Sequence, residues 1–378
     1  MQILQIAIIE ESIGGPFVSV LNFHLALNTV SNKNTLLATL SRTDYFRIKA
    51  LRQSLKVIPY LEESKNINPK RLSPGFISKV VSNLKNYETV HLHGFFIISY
   101  IPIIFFCRLF RKNISIQPHG SLMEYEIARM NIFKKCFMFF IRLLSIGTEI
   151  TYVVTSSVES EQIPRKLIRN ESQIFSTRYF SSEISLDTDQ SDIDLQKLVV
   201  SQNKKVLFLG RITKKKNLNL LIEAIKYANT RNAELDLVVV GPIDSDQNYL
   251  LDFGKSTLGE RFIFLGPTYS KDLKEKIMGM CQIFALPSLG ENFALTLLEA
   301  ESCGLHLLLS PNIGAIEVLN ANKLTIVGDL HVASWGKALT SLSKSCTNEQ
   351  KRLSDSNPSG ESWITEAHKF SNFLTSLS

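Results

Sequence analysis

The stretch from Phe284 to Leu319 sets the tightest limit on what this chain can fold into. An apolar run ends at Pro287, a polar turn covers Ser288 to Asn292, and a helix-like apolar segment is closed by Gly304. A second apolar run, Leu305 to Leu309, stops at the turn Ser310-Pro311-Asn312. Short apolar runs bounded by glycine and proline fit buried strands, so the stretch reads as a β-loop-α-β unit. Such units join parallel strands and leave their loop at the carboxyl edge of the sheet, where ligands bind.

The same alternation recurs along the chain. Strands are expected at Ile3 to Ile9, Asn34 to Leu40, Thr89 to His93, Ile114 to Gln117 and Glu149 to Val154, and again at Lys205 to Leu209, Leu235 to Val240 and Phe262 to Leu265. Ser156-Ser157-Val158-Glu159 has the form of a capping box opening a helix. The run Ser181 to Asp194 is polar, acidic and serine-rich, and it reads as a linker. With 378 residues, 44% of them hydrophobic, the chain can fill two cores. The expectation is an α/β protein of two Rossmann-like halves, residues 1–183 and 184–360, followed by an amphipathic helix within 361–378.

Chemistry-bearing residues cluster at the expected strand ends. Glu291 and Glu299 lie eight residues apart in the opening unit. The helix carrying Glu299 is apolar nearly all round, and Glu299 shares the face of Leu295, so its charge needs a partner or a cleft unless that face is solvated. Gly210-Arg211-Ile212-Thr213-Lys214-Lys215-Lys216-Asn217 joins a strand to a helix, a place where phosphate can be held, although a lysine run also fits a solvated loop. Gly14-Gly15 stands at a similar junction near the start, with Gly15 as the candidate phosphate contact and a plain turn as the alternative. His93-Gly94 and His119-Gly120 end two strands of the first half; His93 reads as a capped or half-buried side chain.

These residues carry a family likeness. GENFALTLLEAESCG resembles the E-x7-E motif of retaining glycosyltransferases of the two-domain GT-B fold, most like family 4, and FLGRITKKKNLNLLIEAI resembles the segment with which that family clamps a donor diphosphate. The resemblance implies two Rossmann-like domains with parallel sheets facing across a cleft, the first on the acceptor side and the second on the donor side. It implies that Glu291 contacts the donor sugar, that the amides of Phe293 and Ala294 meet sugar or phosphates, and that Glu299 binds the ribose. Arg211 and Lys216 would clamp the diphosphate, helped by the helix N-terminus after Glu291, and Gly15 would face the donor phosphates. PHGSL resembles the family segment lining the sugar side, so His119 is expected to donate a hydrogen bond to the sugar or the leaving phosphate, being titratable near neutrality. The segment Ser362 to Phe373 resembles the terminal helix that crosses back to the first domain.

The implied activity is transfer of a sugar from a nucleotide diphosphate sugar to a glycan or lipid-linked acceptor with retention at the anomeric carbon, in cell-surface polysaccharide or glycolipid synthesis, with no metal or other cofactor. The sequence departs from the family pattern at Ala294, where glycine is usual, at Glu301, at His306, and in IFSTRYFSS, which lacks an expected Asn-Gly turn. An epimerase or glycosyl phosphorylase on the same fold, and a catalytically silent nucleotide-sugar-binding or scaffold subunit, are the competing readings.

Charge and cysteine content narrow the partners. Against 42 Lys and Arg stand 35 Asp and Glu, a net +7, which favours anionic partners; nucleic acid falls away because no basic aromatic platform accompanies the charge. Five cysteines without a C-x-x-C fit reduced thiols in a cytoplasm. The N-terminus MQILQIAIIEES has no basic region or cleavage site and is expected to form a strand rather than a signal peptide. Two apolar segments with basic ends, Phe95 to Phe106 and Ile132 to Ile146, fall short of the roughly 20 residues of a membrane span. They are core helices or surfaces lying on an anionic membrane at its inner face, and FMFF beside Lys and Arg fits the second option. Of three D-x-D triplets, two lie in the expected linker; Asp244 to Asp246 reads as a solvated loop, with metal binding as the alternative.

Overall fold

The computed structural model describes residues 2–8, 15–30, 33–40, 57–61, 72, 74–168, 173–180, 195–268, 270–346 and 362–376. The chain divides into two compact units, residues 1–184 with 357–378, and residues 185–356. The expected linker and its two D-x-D triplets lie outside the described residues, as does the loop leading to Gly15.

Among the described residues the first unit holds a seven-stranded parallel sheet: β1 (Gln2–Ile8), β2 (Lys33–Leu40), β3 (Val57–Leu61), β4 (Thr89–His93), β5 (Asn113–Gln117), β6 (Ile150–Val154) and β7 (Ile174–Ser176), in the order β3-β2-β1-β4-β5-β6-β7. β4 and β6 are buried at every residue, as central strands are when helices cover both faces. Helices Pro74–Asn83, Tyr100–Leu109 and Ile132–Leu144 put Val80, Ile103, Ile104, Phe137 and Ile141 into one core with Leu92, Ile116 and Tyr152. The helix Ser157–Gln162 starts at the capping sequence, where Ser156 Oγ accepts from Glu159 N at 3.1 Å.

The second unit holds a six-stranded parallel sheet: β8 (Lys204–Leu209), β9 (Leu235–Val240), β10 (Phe262–Phe264), β11 (Ile283–Leu286), β12 (His306–Leu309) and β13 (Leu324–Ile326), in the order β10-β9-β8-β11-β12-β13. Helices Leu218–Asn229 and Val332–Ser345 pack together so closely that a Cβ on Gly336 would lie 2.2 Å from the Tyr227 ring. Gly241, at the end of β9, has φ +140°, and a Cβ there would sit 2.1 Å from the carbonyl oxygen of Gly210 at the end of β8. Only glycine lets these two strand ends come together.

Counted from its own first strand, each sheet begins 3-2-1-4-5-6, the doubly wound order. Connections leave in opposite directions from β1 and β4, and from β8 and β11, so a crevice opens at the carboxyl ends of each pair.

The terminal helix, Trp363–Ser376, belongs to the first unit and packs on helix Gly15–Val30. Phe370 is fully buried there, with its ring 5.4 Å from Phe23 and Phe175 and 5.1 Å from His91. Buried Glu366 accepts from Thr177 Oγ1 and Arg178 N, each at 3.2 Å, and from Lys369 at 2.8 Å. The helix is therefore part of the first unit's core. Phe370→Ala is expected to destabilise that unit by about 3–5 kcal/mol, the usual cost of emptying a buried phenylalanine site. Chemical denaturation followed by tryptophan emission checks this, because Trp363 lies on the same helix.

Candidate active site

In the second unit, the loops after β8 and β11 meet at the switch point. Lys215 O accepts from Leu289 N at 2.9 Å and from Ser288 Oγ at 3.3 Å. This contact brings together residues far apart in sequence: Lys216 Nζ lies 3.4 Å from Glu291 Oε1, with both side chains about seven-eighths covered. Lys216, in the short turn Lys214–Lys216, lies across Gly210, whose missing Cβ would be 3.1 Å from Nζ. Glu291 is fixed from both sides, by Ser288 Oγ donating to Oε1 at 2.8 Å and by main-chain bonds to Asn312 O (2.8 Å) and from Gly314 N (3.0 Å). Burial pushes the Glu291 carboxyl up, but Lys216, Lys215 and the Ser288 hydrogen bond together hold it below its ordinary range. It is ionised at neutral pH.

Past Glu291 the ring of Phe293 is buried and Ala294 adopts φ +60°. This left-handed conformation explains why glycine suits the position, since the alanine Cβ strains it. The helix that follows, Thr296–Ser302, begins five residues after Glu291 and is only seven residues long. The helix N-terminus expected after Glu291 thus comes at Thr296, past a loop with a left-handed kink at Ala294.

The partner that Glu299 requires is Lys274, on helix Lys271–Gly279, whose Nζ lies 2.6 and 2.7 Å from the two carboxylate oxygens. Both side chains are mostly covered. Lys274 was missed from sequence, being one of several charges on a polar helix with no pattern to single it out. Half-exposed Arg211 lies 3.4 Å from Asp244, so the first residue of the remaining D-x-D triplet is paired, and Asp246 accepts from Gln247 at 3.1 Å. Among the described residues no group of three His, Cys, Asp or Glu side chains is placed to hold a metal ion. Glu301 accepts from Asn320 N at 2.6 Å and His306 meets Thr325 Oγ1 at 2.8 Å, which gives these two departures structural partners.

In the first unit, the carboxyl ends of β4 and β5 carry a chain of neutral polar groups. His119, at φ +52°, places Nε2 3.2 Å from His93 Nδ1 and Nδ1 3.0 Å from Tyr179 OH. His93 Nε2 continues to Gln5 Oε1 at 3.0 Å, and Gln5 Nε2 to His24 Nδ1 at 2.9 Å. Neighbouring Gly120 N donates to buried Glu159 at 2.6 Å, which anchors this loop to the start of helix Ser157–Gln162. Two imidazoles sharing one proton in a hydrogen bond cannot both be charged, so a single tautomeric direction runs along the chain.

Two expectations are corrected here. His93 is fully buried rather than half-buried. His119 does not titrate near neutrality, because burial lowers its pKa to about 4. Burial likewise lowers His91 to about 3 and His93 well below its ordinary value, with neighbouring histidines adding to the effect in both. Tyr179 was also missed, because it lies 60 residues from His119 in a segment whose only noted feature was the missing Asn-Gly turn. Gly15 is the first residue of helix Gly15–Val30.

Comparison with known proteins follows this geometry. The two parallel Rossmann-like halves define the α/β fold called GT-B. Residues 189–358, nearly all of them in the second unit, match the sequence profile of the family Glycosyl transferases group 1. No curated protein matches the chain in sequence. Among solved structures, HepE of Anabaena in complex with UDP is similar over 100% of both chains, with a TM-score of 0.68 at 15% identity. WaaG, a glycosyltransferase involved in lipopolysaccharide biosynthesis, is similar over 98% of this chain and 95% of its own, with a TM-score of 0.63 at 12% identity. Sucrose-phosphate synthase from Thermosynechococcus elongatus has a TM-score of 0.66 at 14% identity over 100% of this chain and 99% of its own.

The histidines of this cluster, buried at His91 and His93 and partly buried at His119, predict an acid-sensitive fold. An unfolded histidine binds a proton below about pH 6.5, whereas folded His119 waits until about 4 and His91 until about 3. In that window the unfolded state holds more protons, so the stabilisation is complete above pH 6.5 and is lost as pH falls. Thermal melts from pH 7.5 down to 4.5 should show a decline that starts near 6.5, above the range where Glu291 begins to protonate. A flat profile would show that these rings are not held neutral. At Ala294, relief of the left-handed strain predicts that Ala294→Gly stabilises the second unit by ~0.5–1 kcal/mol, measured by denaturant titration.

Proposed function

We propose that the chain transfers a sugar from a nucleotide diphosphate sugar to the hydroxyl of a glycan or lipid-linked acceptor, with retention at the anomeric carbon. The observation that carries this reading is the covered Lys216–Glu291 pair at the switch point of a glycosyl transferases group 1 domain. A diphosphate needs a cation, and a bound sugar needs a hydrogen-bond acceptor beside it; this pair supplies both within 3.4 Å. The bound UDP in the HepE structure supports a nucleotide diphosphate donor.

In this reading the bond between the anomeric carbon and the β-phosphate oxygen breaks, and its electron pair leaves with the diphosphate. Lys216 and Arg211 exchange their carboxylate partners for phosphate oxygens and stabilise the growing charge. The amides of Phe293 and Ala294, turned by the left-handed kink, serve the same group. Glu291 accepts from sugar hydroxyls. Glu299 accepts from the ribose, and because a carboxylate has about four acceptor sites, Lys274 can stay on it. Gly15 faces the phosphates, and neutral His119, whose single N–H is given to His93 Nδ1 while Tyr179 holds its other nitrogen, turns that N–H from His93 to the sugar or the leaving phosphate. The acceptor oxygen bonds to the anomeric carbon and its proton passes to the leaving diphosphate. No metal is invoked. We place the reaction in the cytoplasm, in assembly of a cell-surface polysaccharide or glycolipid.

Glu299→Ala should weaken binding of free UDP by roughly 1.5–3 kcal/mol, the worth of hydrogen bonds to a charged group. Glu291→Ala should leave UDP affinity unchanged or tighter, since Lys216 loses its competing partner, while transfer falls steeply. Calorimetry with UDP and rates of donor turnover separate the two. Loss of UDP affinity by the same factor in both variants contradicts the assignment, and nucleotide binding without any turnover in the unsubstituted protein identifies a silent subunit instead.

A further inference from the structure

At the edge of the first sheet opposite His93 and His119, a basic pocket adjoins an uncovered apolar surface. The pocket, about 440 Å³, is lined by Arg108, Arg111, Lys112, Thr148, Glu149 and Thr151, where β5 and β6 begin and where helices Tyr100–Leu109 and Ile132–Leu144 end. Arg108 ties the two helix ends together, donating to Leu144 O at 3.3 Å and passing 3.5 Å from the missing Cβ of Gly147. Three cations face one carboxylate, Glu149. Among the described residues, Arg111 and Lys112 pair with no carboxylate.

Around this pocket large apolar side chains stand in the open. Phe105, Leu109, Phe110, Phe139, Phe140, Leu143 and Ile146 are each 45–63% exposed. Helix Ile132–Leu144 has two apolar stripes: Phe137, Met138 and Ile141 point into the core, while Cys136, Phe139, Phe140 and Leu143, at the spacing i, i+3, i+4, i+7, point outward. A helix apolar on both faces is built to be covered on both. Exposed Lys135 and Arg142 flank the outward stripe.

We propose that this face docks on an anionic phospholipid bilayer, with a lipid phosphate seated among Arg108, Arg111 and Lys112 and the Phe139, Phe140, Leu143 and Phe110 side chains entering the headgroup boundary. Aromatic and aliphatic groups ringed by Arg and Lys match such a surface in both polarity and charge. A second copy of the chain fits less well, because a two-fold contact on this face would set its cations against themselves. No helix among the described residues is long and apolar enough to cross a membrane. Within the first unit the pocket and the His93–His119 cluster lie at opposite ends of the strands, so the docking is independent of that cluster.

The test is co-sedimentation of the full chain with phosphatidylcholine vesicles and with vesicles containing phosphatidylglycerol. The expected result is binding to the anionic vesicles only, weakened roughly tenfold or more by the double charge change Arg111→Glu with Lys112→Glu, and weakened as well by Phe139→Ser with Phe140→Ser. Arg111, Phe139 and Phe140 are exposed and Lys112 is half-buried, and unchanged melting curves confirm that the variants fold. UDP affinity should be unaffected in both. Equal binding to neutral and anionic vesicles, or none, overturns the proposal. So does release from anionic vesicles by inorganic phosphate at matched ionic strength, which would make the pocket a site for a free anion, or a dimer in solution that Phe139→Ser with Phe140→Ser dissolves.

Discussion

A parallel sheet covered on both faces leaves charged groups room mainly at the ends of its strands, and much of this structure follows from that constraint. Inside the second sheet, β9 and β11 are apolar apart from Asp236 and buried at every residue. The ionisable groups are pushed into the loops, and at the switch point two loops approach closely enough to share main-chain hydrogen bonds through Lys215 O. Gly210 and Gly241 permit that approach, because side chains at either would occupy the space of Lys216 or of the neighbouring carbonyl. The Lys216–Glu291 pair is the result, not an addition.

Among the described residues four covered glutamates are satisfied by their partners, as the cost of desolvation demands, whereas buried Asp236 accepts only from Asn203 Nδ2, at 2.8 Å on one oxygen. Glu291 has Lys216 and Ser288, Glu299 has Lys274 on both oxygens, Glu159 has Gly120 N and Thr155 N, and Glu366 has Thr177, Arg178 and Lys369. Two of these, Glu159 and Glu366, organise the loops of the first unit. Glu291 and Glu299 instead pair with lysines, Lys216 and Lys274, in the second unit. The first unit solves the same burial problem differently, with neutral imidazoles linked through Gln5 and Tyr179, which avoid the desolvation of charge altogether.

Much of the fold was legible because its signals are local. The strands Thr89–His93 and Leu235–Val240 begin and end where the apolar runs do, and helix Ile132–Leu144 falls within the expected apolar segment. Glu299 was correctly marked as needing a partner, since one charge on an apolar helix is anomalous wherever it occurs. The state of His119 was misread, because a ring's pKa depends on how deeply it is buried, and burial is not a property of its neighbours in sequence.

Sequence alone determined the alternation of strands and helices, the two halves, and the residue types at the strand ends, because apolar periodicity and glycine turns act over a few residues. Tertiary structure decided which charges meet. Lys274 reaches Glu299 across 25 residues and Tyr179 reaches His119 across 60, through sheet order and helix packing that no short window of sequence encodes. It also decided that Ala294 takes a left-handed conformation and that Phe139 and Phe140 face outward while Phe137 faces the core, since a helix with two apolar stripes leaves the choice to whatever packs against it.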